Sequence, residues 1–236
     1  MEMEFSKRLE LFGPEIFAAL NDKKIALEAE GARCTTCRWV RRTSRPHPTS
    51  SRRCWTPPPW TKTGSILCGT CPNCWKLWDI TMSGAFGVEG ITPDKVMSFS
   101  GSQDGIGHLG LALLNDGDTV LLPDPCYPVF MTGMRLGGGV PWFYHLTAEN
   151  NFLPDVHSIP EDVARKAKLM IVSLPANPVG SIGTPELYRE IVDFCRTYNI
   201  LLVHDNAYSD IIFDGAVGHS VFNTPAPRMW RWSSSL

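Results

Sequence analysis

From Gly87 onward, short apolar runs alternate with stretches of helical period, and this alternation constrains the fold more than any single residue does. A β-like run at 96–99 precedes a helix-like 103–114, and a run at 119–122 precedes a helix-like stretch after Tyr127. Runs at 140–144 and 169–174 follow, then an amphipathic 185–198 and a last run at 200–204. Strand-length runs separated by helical periods predict an α/β fold, a mainly parallel sheet covered by helices, because parallel neighbours need long crossovers. No internal repeat is present.

Residues 31–85 show neither period. They hold six of the eight cysteines (34, 37, 54, 68, 71, 74), five of the eight tryptophans, and nine basic side chains against the single acid Asp79. The segment therefore carries +8 while the rest of the chain carries −10, two compositions joined in one polypeptide of net charge −2. Its Pro/Arg/Ser-rich parts at 41–53 and 56–59 bury too little apolar area to offset chain entropy, so 31–85 is expected to be irregular or disordered. The near-neutral total argues against a generic nucleic-acid binder. The longest apolar runs fall short of a membrane span, and residues 1–30 have no basic-then-apolar leader, so a cytoplasmic protein is expected.

In an open parallel sheet, ligands bind beyond the carboxyl ends of the strands. Three segments with chemistry lie there. Ser100-Gly101-Ser102-Gln103-Asp104-Gly105 enters a helix, and its backbone N–H groups suit a phosphate, although a plain capping turn reads the same way. Asn177 sits in the Pro-flanked turn Pro175-Ala176-Asn177-Pro178, which is also ordinary turn chemistry. Asp205 ends the last run with Tyr208 three residues on, and an aspartate there also suits a helix cap.

In the order GSQDGI, PDPCYPVF, LPANPVG, VHDNAYSD, these elements resemble the class I/II (fold type I) aminotransferases that use pyridoxal 5'-phosphate, nearest to the group containing LL-diaminopimelate aminotransferase. The resemblance covers about 4–30 and 86–225. It implies an N-terminal arm and first helix in 1–30 and a partial cofactor-binding large domain in 86–225. It also implies that Ser102 and Gln103 lie at the cofactor phosphate and that Tyr127 stacks on the pyridine ring. Asn177 and Tyr208 would meet the ring's phenolic oxygen, and Asp205 the pyridinium nitrogen. The substrates would be an amino acid and a 2-oxo acid, and the assembly a homodimer. Cys126 and Cys195 read as packing residues, and His204 as a strand-end histidine that either supports Asp205 or is inert.

The family's Schiff-base lysine is expected a few tens of residues after the Asp…Tyr motif, yet no lysine follows Lys168, so no catalytic residue is assigned and this polypeptide is expected to be inactive. Back-translating 226–236 and reading one nucleotide earlier permits G-T-K-D-V-A-V-E-F-F-S, a plausible strand. The same shift permits R-T-V-Y-N-L-S-V-G over 32–40 and W-K-Y-S-L-R-D-L-P-E-L-L-E-A over 64–77. One direction of shift thus turns each aberrant segment into a string resembling the family, and the tail 226–236, like 31–85, is expected to be irregular as it stands. Read at face value, Cys34-x-x-Cys37 with Cys68-x-x-Cys71 or Cys71-x-x-Cys74 has zinc-knuckle spacing, which with the arginines would suggest a nucleic-acid module. A third reading is a non-catalytic fragment that only binds a partner.

Overall fold

The computed structural model describes residues 11, 16–33, 83–84, 87–88, 92, 95–97, 99, 101–209, 211–224 and 231–234. The knuckle cysteines lie outside them. The chain divides into two compact units, Met1–Gly64 and Ser65–Leu236. Of the expected irregular segment 31–85, only 31–33 and 83–84 are described, and the latter pair is helical.

In the first unit, helix α1 spans Ile16–Ala29. Gly31, at φ 88°, adopts the left-handed conformation that stops it. The Gly31 N–H donates to the Glu28 carbonyl (3.1 Å) and the Ala32 N–H to the Leu27 carbonyl (3.0 Å), which satisfies carbonyls the helix end would leave bare.

The second unit is built on five parallel strands in the order β2-β1-β3-β4-β5. Helix α2 (Ser102–Leu113) precedes β1 (Thr119–Asp124), and α3 (Pro128–Leu136) leads to β2 (Val140–His145). A short α4 (Glu161–Ala164) precedes β3 (Ala167–Ser173), and α5 (Pro185–Tyr198) leads to β4 (Leu201–Asp205). The expected runs and helices from 103 to 204 all appear at nearly the expected positions. Two expectations fail. At the described positions of 96–99 there is no strand; Met97 is 75% exposed, and the Phe99 ring instead packs so closely over Gly105 that a Cβ there would lie 2.8 Å away. The tail is not irregular throughout, because β5 (Arg231–Ser234) pairs with β4 from Leu202 to Asp205. Without it β4 would leave one edge of backbone donors and acceptors bare, and any extended segment within reach satisfies them.

Strand alternation divides the core into two layers. Leu121, Met170, Val172 and Leu202 face α5, which contributes Leu187, Tyr188, Ile191, Val192 and Cys195. Val120, Leu122, Leu169, Ile171 and Val203 form the opposite layer with Ile106, Phe130 and Met134 of α2 and α3. Helix α5 is well delimited. The Thr184 hydroxyl accepts from the Leu187 N–H, Pro185 opens the first turn, and Asn199 closes the last at φ 60°. Helices α2 and α3 meet along glycines: a Cβ on Gly110 would lie 2.2 Å from the Gly133 carbonyl oxygen, and one on Gly137 2.1 Å from Gly110. Among the described residues, no helix is long and apolar enough to cross a membrane.

Candidate functional site

β1 has β2 on one side and β3 on the other, so the chain reverses its direction of growth across the sheet at β1. At such a switch point the loops beyond the carboxyl ends diverge and leave a crevice for a ligand. The loops that follow β1, β3 and β4 carry Tyr127, Asn177 and Tyr208, and Asp205 is the last residue of β4.

Alternation sets the direction of the strand-end residues. Asp205 shares the face of Val203, and Ser173 that of Ile171, so both lie on the α2/α3 side of the sheet; they are also register partners. Both are buried, each 6% exposed. Among the described residues, the Ser173 Oγ and the Asn206 Oδ1 have no hydrogen-bond partner, and Asn206 is 2% exposed. Orphaned buried polar atoms cost about 1–3 kcal/mol each, so their concentration at one sheet edge marks a place where polar groups await a polar occupant.

The glycine seam of α2 and α3 brings the first turn of α2 beside the start of α3. The Tyr127 hydroxyl, at the N-cap of α3, donates to Gln103 Oε1 at 3.2 Å, and its ring stands edge-on to Phe130 at 5.9 Å. Gly101 caps α2 at φ 102° without a side-chain hydrogen bond, so among the described residues the first-turn N–H groups of Ser102 and Gln103 meet no capping side chain and suit an anion. On the other side, Asn177 Nδ2 donates to the Tyr208 hydroxyl at 3.2 Å. The turn that aims Asn177 is closed by Gly180 N–H to the Ala176 carbonyl (2.7 Å) and Ala176 N–H to the Ser181 carbonyl (2.9 Å). Four of the six expected site residues thus form two bonded pairs, Gln103 with Tyr127 and Asn177 with Tyr208; Ser102 begins α2 and Asp205 ends β4.

His204 lies on the opposite layer from Asp205, in contact with Tyr188 and the Leu174 carbonyl. Burial pushes its pKa down to about 4, against a smaller upward pull from the Leu174 carbonyl, so its ring is neutral at physiological pH. Burial, with the Asp124 charge nearby, pushes the Cys126 thiol up to about 11, and burial raises Cys195 further; neither is a thiolate nucleophile. Ser173 and Asn206 escaped the sequence reading, because their pairing and burial depend on which strands are neighbours.

A buried carboxylate, an amide–phenol pair, an aromatic ring and an uncapped helix start suit an aromatic, phosphorylated, hydrogen-bonding ligand. The family model described as Aminotransferase class I and II matches residues 86–227. LL-diaminopimelate aminotransferase 2 of Trichormus variabilis is 37% identical over 237 residues, which cover 96% of this chain and 58% of that protein. LL-diaminopimelate aminotransferase of Halothermothrix orenii is 50% identical over 126 residues, 53% of this chain and 32% of that protein. The chain therefore spans less than two thirds of the length of these relatives. A Thermus thermophilus aspartate aminotransferase single mutant shares the fold, with a TM-score of 0.79 over 99% of this chain and 60% of that chain at 18% identity. The parallel sheet, its loop residues at the carboxyl edge and a family match over more than half of the chain all lead to one place: this chain belongs to the class I and II aminotransferases, which are pyridoxal phosphate-dependent.

Proposed function

We propose that this chain is the cofactor-holding part of an aminotransferase that moves an amino group from an amino acid to a 2-oxo acid. The observation that carries the reading is the Asn177–Tyr208 hydrogen bond three residues beyond the buried Asp205. When bound, pyridoxal phosphate supplies an electron-accepting ring for chemistry at the substrate carbon. In this reading Asp205 keeps the ring nitrogen protonated, since a carboxylate beside a pyridinium favours its charged form. Asn177 retains a second N–H, and Tyr208 its hydroxyl proton, after bonding each other, so both can donate to one phenolic oxygen. Tyr127 covers the ring, and Ser102 and Gln103 hold the phosphate at the start of α2. The relatives' names make LL-diaminopimelate the first amino donor to assay. Homodimer assembly and cytoplasmic residence are part of the same proposal.

The test is titration of the purified chain with pyridoxal phosphate, followed by absorbance. We expect noncovalent binding that Asp205→Ala and Asn177→Ala each weaken by about tenfold, the loss of one charge-assisted or buried hydrogen bond. Binding unchanged in both variants sinks the assignment.

The family match begins at 86 and ends at 227, which supports a second inference, that 31–85 and 226–236 are out-of-frame translations of family sequence. Resequencing the coding DNA from the codon for Glu28 to beyond that for Leu236 decides it. Single-base corrections that restore the alternative strings bear it out, and an unaltered sequence removes it.

A further inference from the structure

Leu174 is the hinge between β3 and the loop that presents Asn177, and its peptide is gripped from both sides by consecutive residues of β4. Its N–H donates to the Asp205 carbonyl at 3.2 Å, one step past the last register pair, Ser173 with Asp205. Its carbonyl lies 3.0 Å from the His204 Nε2. A carbonyl only accepts, so the imidazole carries its proton on Nε2. The Tyr188 hydroxyl of α5 is 3.4 Å from the same carbonyl and 3.3 Å from the same nitrogen, with its ring set edge-on to the imidazole at 5.2 Å. His204 is fully buried, and its Nδ1 has no hydrogen-bond partner among the described residues. A buried side chain that leaves one nitrogen unsatisfied in order to direct the other at a loop-root carbonyl is a poor choice for filling space, where leucine would serve.

We propose that His204 is a positioning residue: its Nε2–H clamps the Leu174 carbonyl and thereby sets the direction in which the 175–180 loop leaves β3, and with it the meeting of Asn177 with Tyr208. The clamp deepens the cofactor reading, on which its functional consequence rests, and it adds a residue from the opposite layer of the sheet. His204 acts on the site through Leu174, without touching the occupant. Tyr188 couples α5 to the same point, so the helix and the two strand ends form one bonded unit. Glutamine at 204 keeps an N–H donor at the distance of Nε2, whereas leucine keeps bulk and loses the donor.

The experiment compares the wild-type chain with His204→Gln and His204→Leu by three readouts: amide hydrogen exchange at Leu174, the NMR signals of the Asn177 side-chain amide, and absorbance titration with pyridoxal phosphate. We expect His204→Leu to speed exchange at Leu174, shift the Asn177 signals and weaken pyridoxal phosphate by about fivefold to tenfold, the size of one lost buried hydrogen bond. His204→Gln restores all three. Equal behaviour of the two variants assigns His204 to packing and overturns the proposal. Should His204→Leu not fold, nitrogen NMR of the wild-type imidazole still decides, because a proton on Nδ1 is incompatible with the clamp. A wild-type chain that binds no pyridoxal phosphate removes the cofactor reading, while the exchange and amide signals continue to test the clamp.

Discussion

At the scale of single residues, burial sets how the interior histidine and cysteines titrate. His204 is the plainest case, since its pKa falls from 6.5 to about 4 because the interior penalises the imidazolium. In that window the unfolded chain binds a proton that the folded chain refuses, so the stability this residue contributes is fully present above pH 6.5 and is lost as pH falls toward 4. The loss amounts to about 3 kcal/mol if nothing else changes. Thermal unfolding of the wild type and of His204→Gln across this range checks it: the wild type should lose Tm more steeply on acidification, and parallel curves contradict the assignment. From sequence, His204 was legible only as an ambiguous neighbour of Asp205. Adjacent residues of a strand face opposite layers, and only the identity of those layers, α5 on one side and α2/α3 on the other, tells which partner each receives. Asp205, Asn177 and Tyr208 were singled out because their order and spacing carry a family pattern, and the structure brings Asn177 and Tyr208 into contact. Ser173 was not, because its significance comes from lying opposite Asp205 in the register.

Among the elements, the sequence marked strongly periodic segments well and weak ones poorly. Helix α5 announces itself by apolar residues on one face, a Thr-Pro start and an Asn stop, and it occupies 185–198 as expected. The run at 96–99 has the right residue types, yet a strand exists only beside another strand, and Phe99 finds Gly105 instead. β5 shows the converse, a segment with poor local credentials that takes strand form on the free edge of β4. Replacing 226–236 by G-T-K-D-V-A-V-E-F-F-S places Ala-Val-Glu-Phe at the four paired positions. Phe in place of Ser234 suits a pleated surface better and Val keeps the β-favouring character of Trp232, so Tm should rise and exchange at Leu202–Asp205 should slow. A lower Tm would count against the alternative frame. The α2–α3 seam predicts the opposite response. In Gly110→Ala the new methyl meets the Gly133 carbonyl at 2.2 Å, and we expect a loss of about 3 kcal/mol, read by denaturant unfolding, because backbone has nowhere to retreat.

At the scale of the molecule, in the proposed reading, the described sheet and its loops supply binding groups, and the family's Schiff-base lysine has no counterpart among these 236 residues, whose last lysine is Lys168. That lysine pairs with Asp118 at 2.7 Å, at the opposite end of the strands from Asp205, and cannot serve the site. Assayed alone with LL-diaminopimelate and a panel of 2-oxo acids, the 236-residue polypeptide should therefore bind pyridoxal phosphate without turning over. Steady formation of product at an enzymatic rate would contradict this. The composition of 31–85 warned that the chain is not uniform, but no composition reveals which reading frame a gene uses; only the coding bases do.

The seam of glycines has a mechanical meaning. Two helices in backbone contact have no flexible side chains between them to yield, so sliding of one along the other is resisted and α2 and α3 are expected to move as one lever. The start of α2 and Tyr127 ride on that lever together. Displacing one of these groups is then expected to carry the other with it, so the distance between them should stay fixed when the loops around them move.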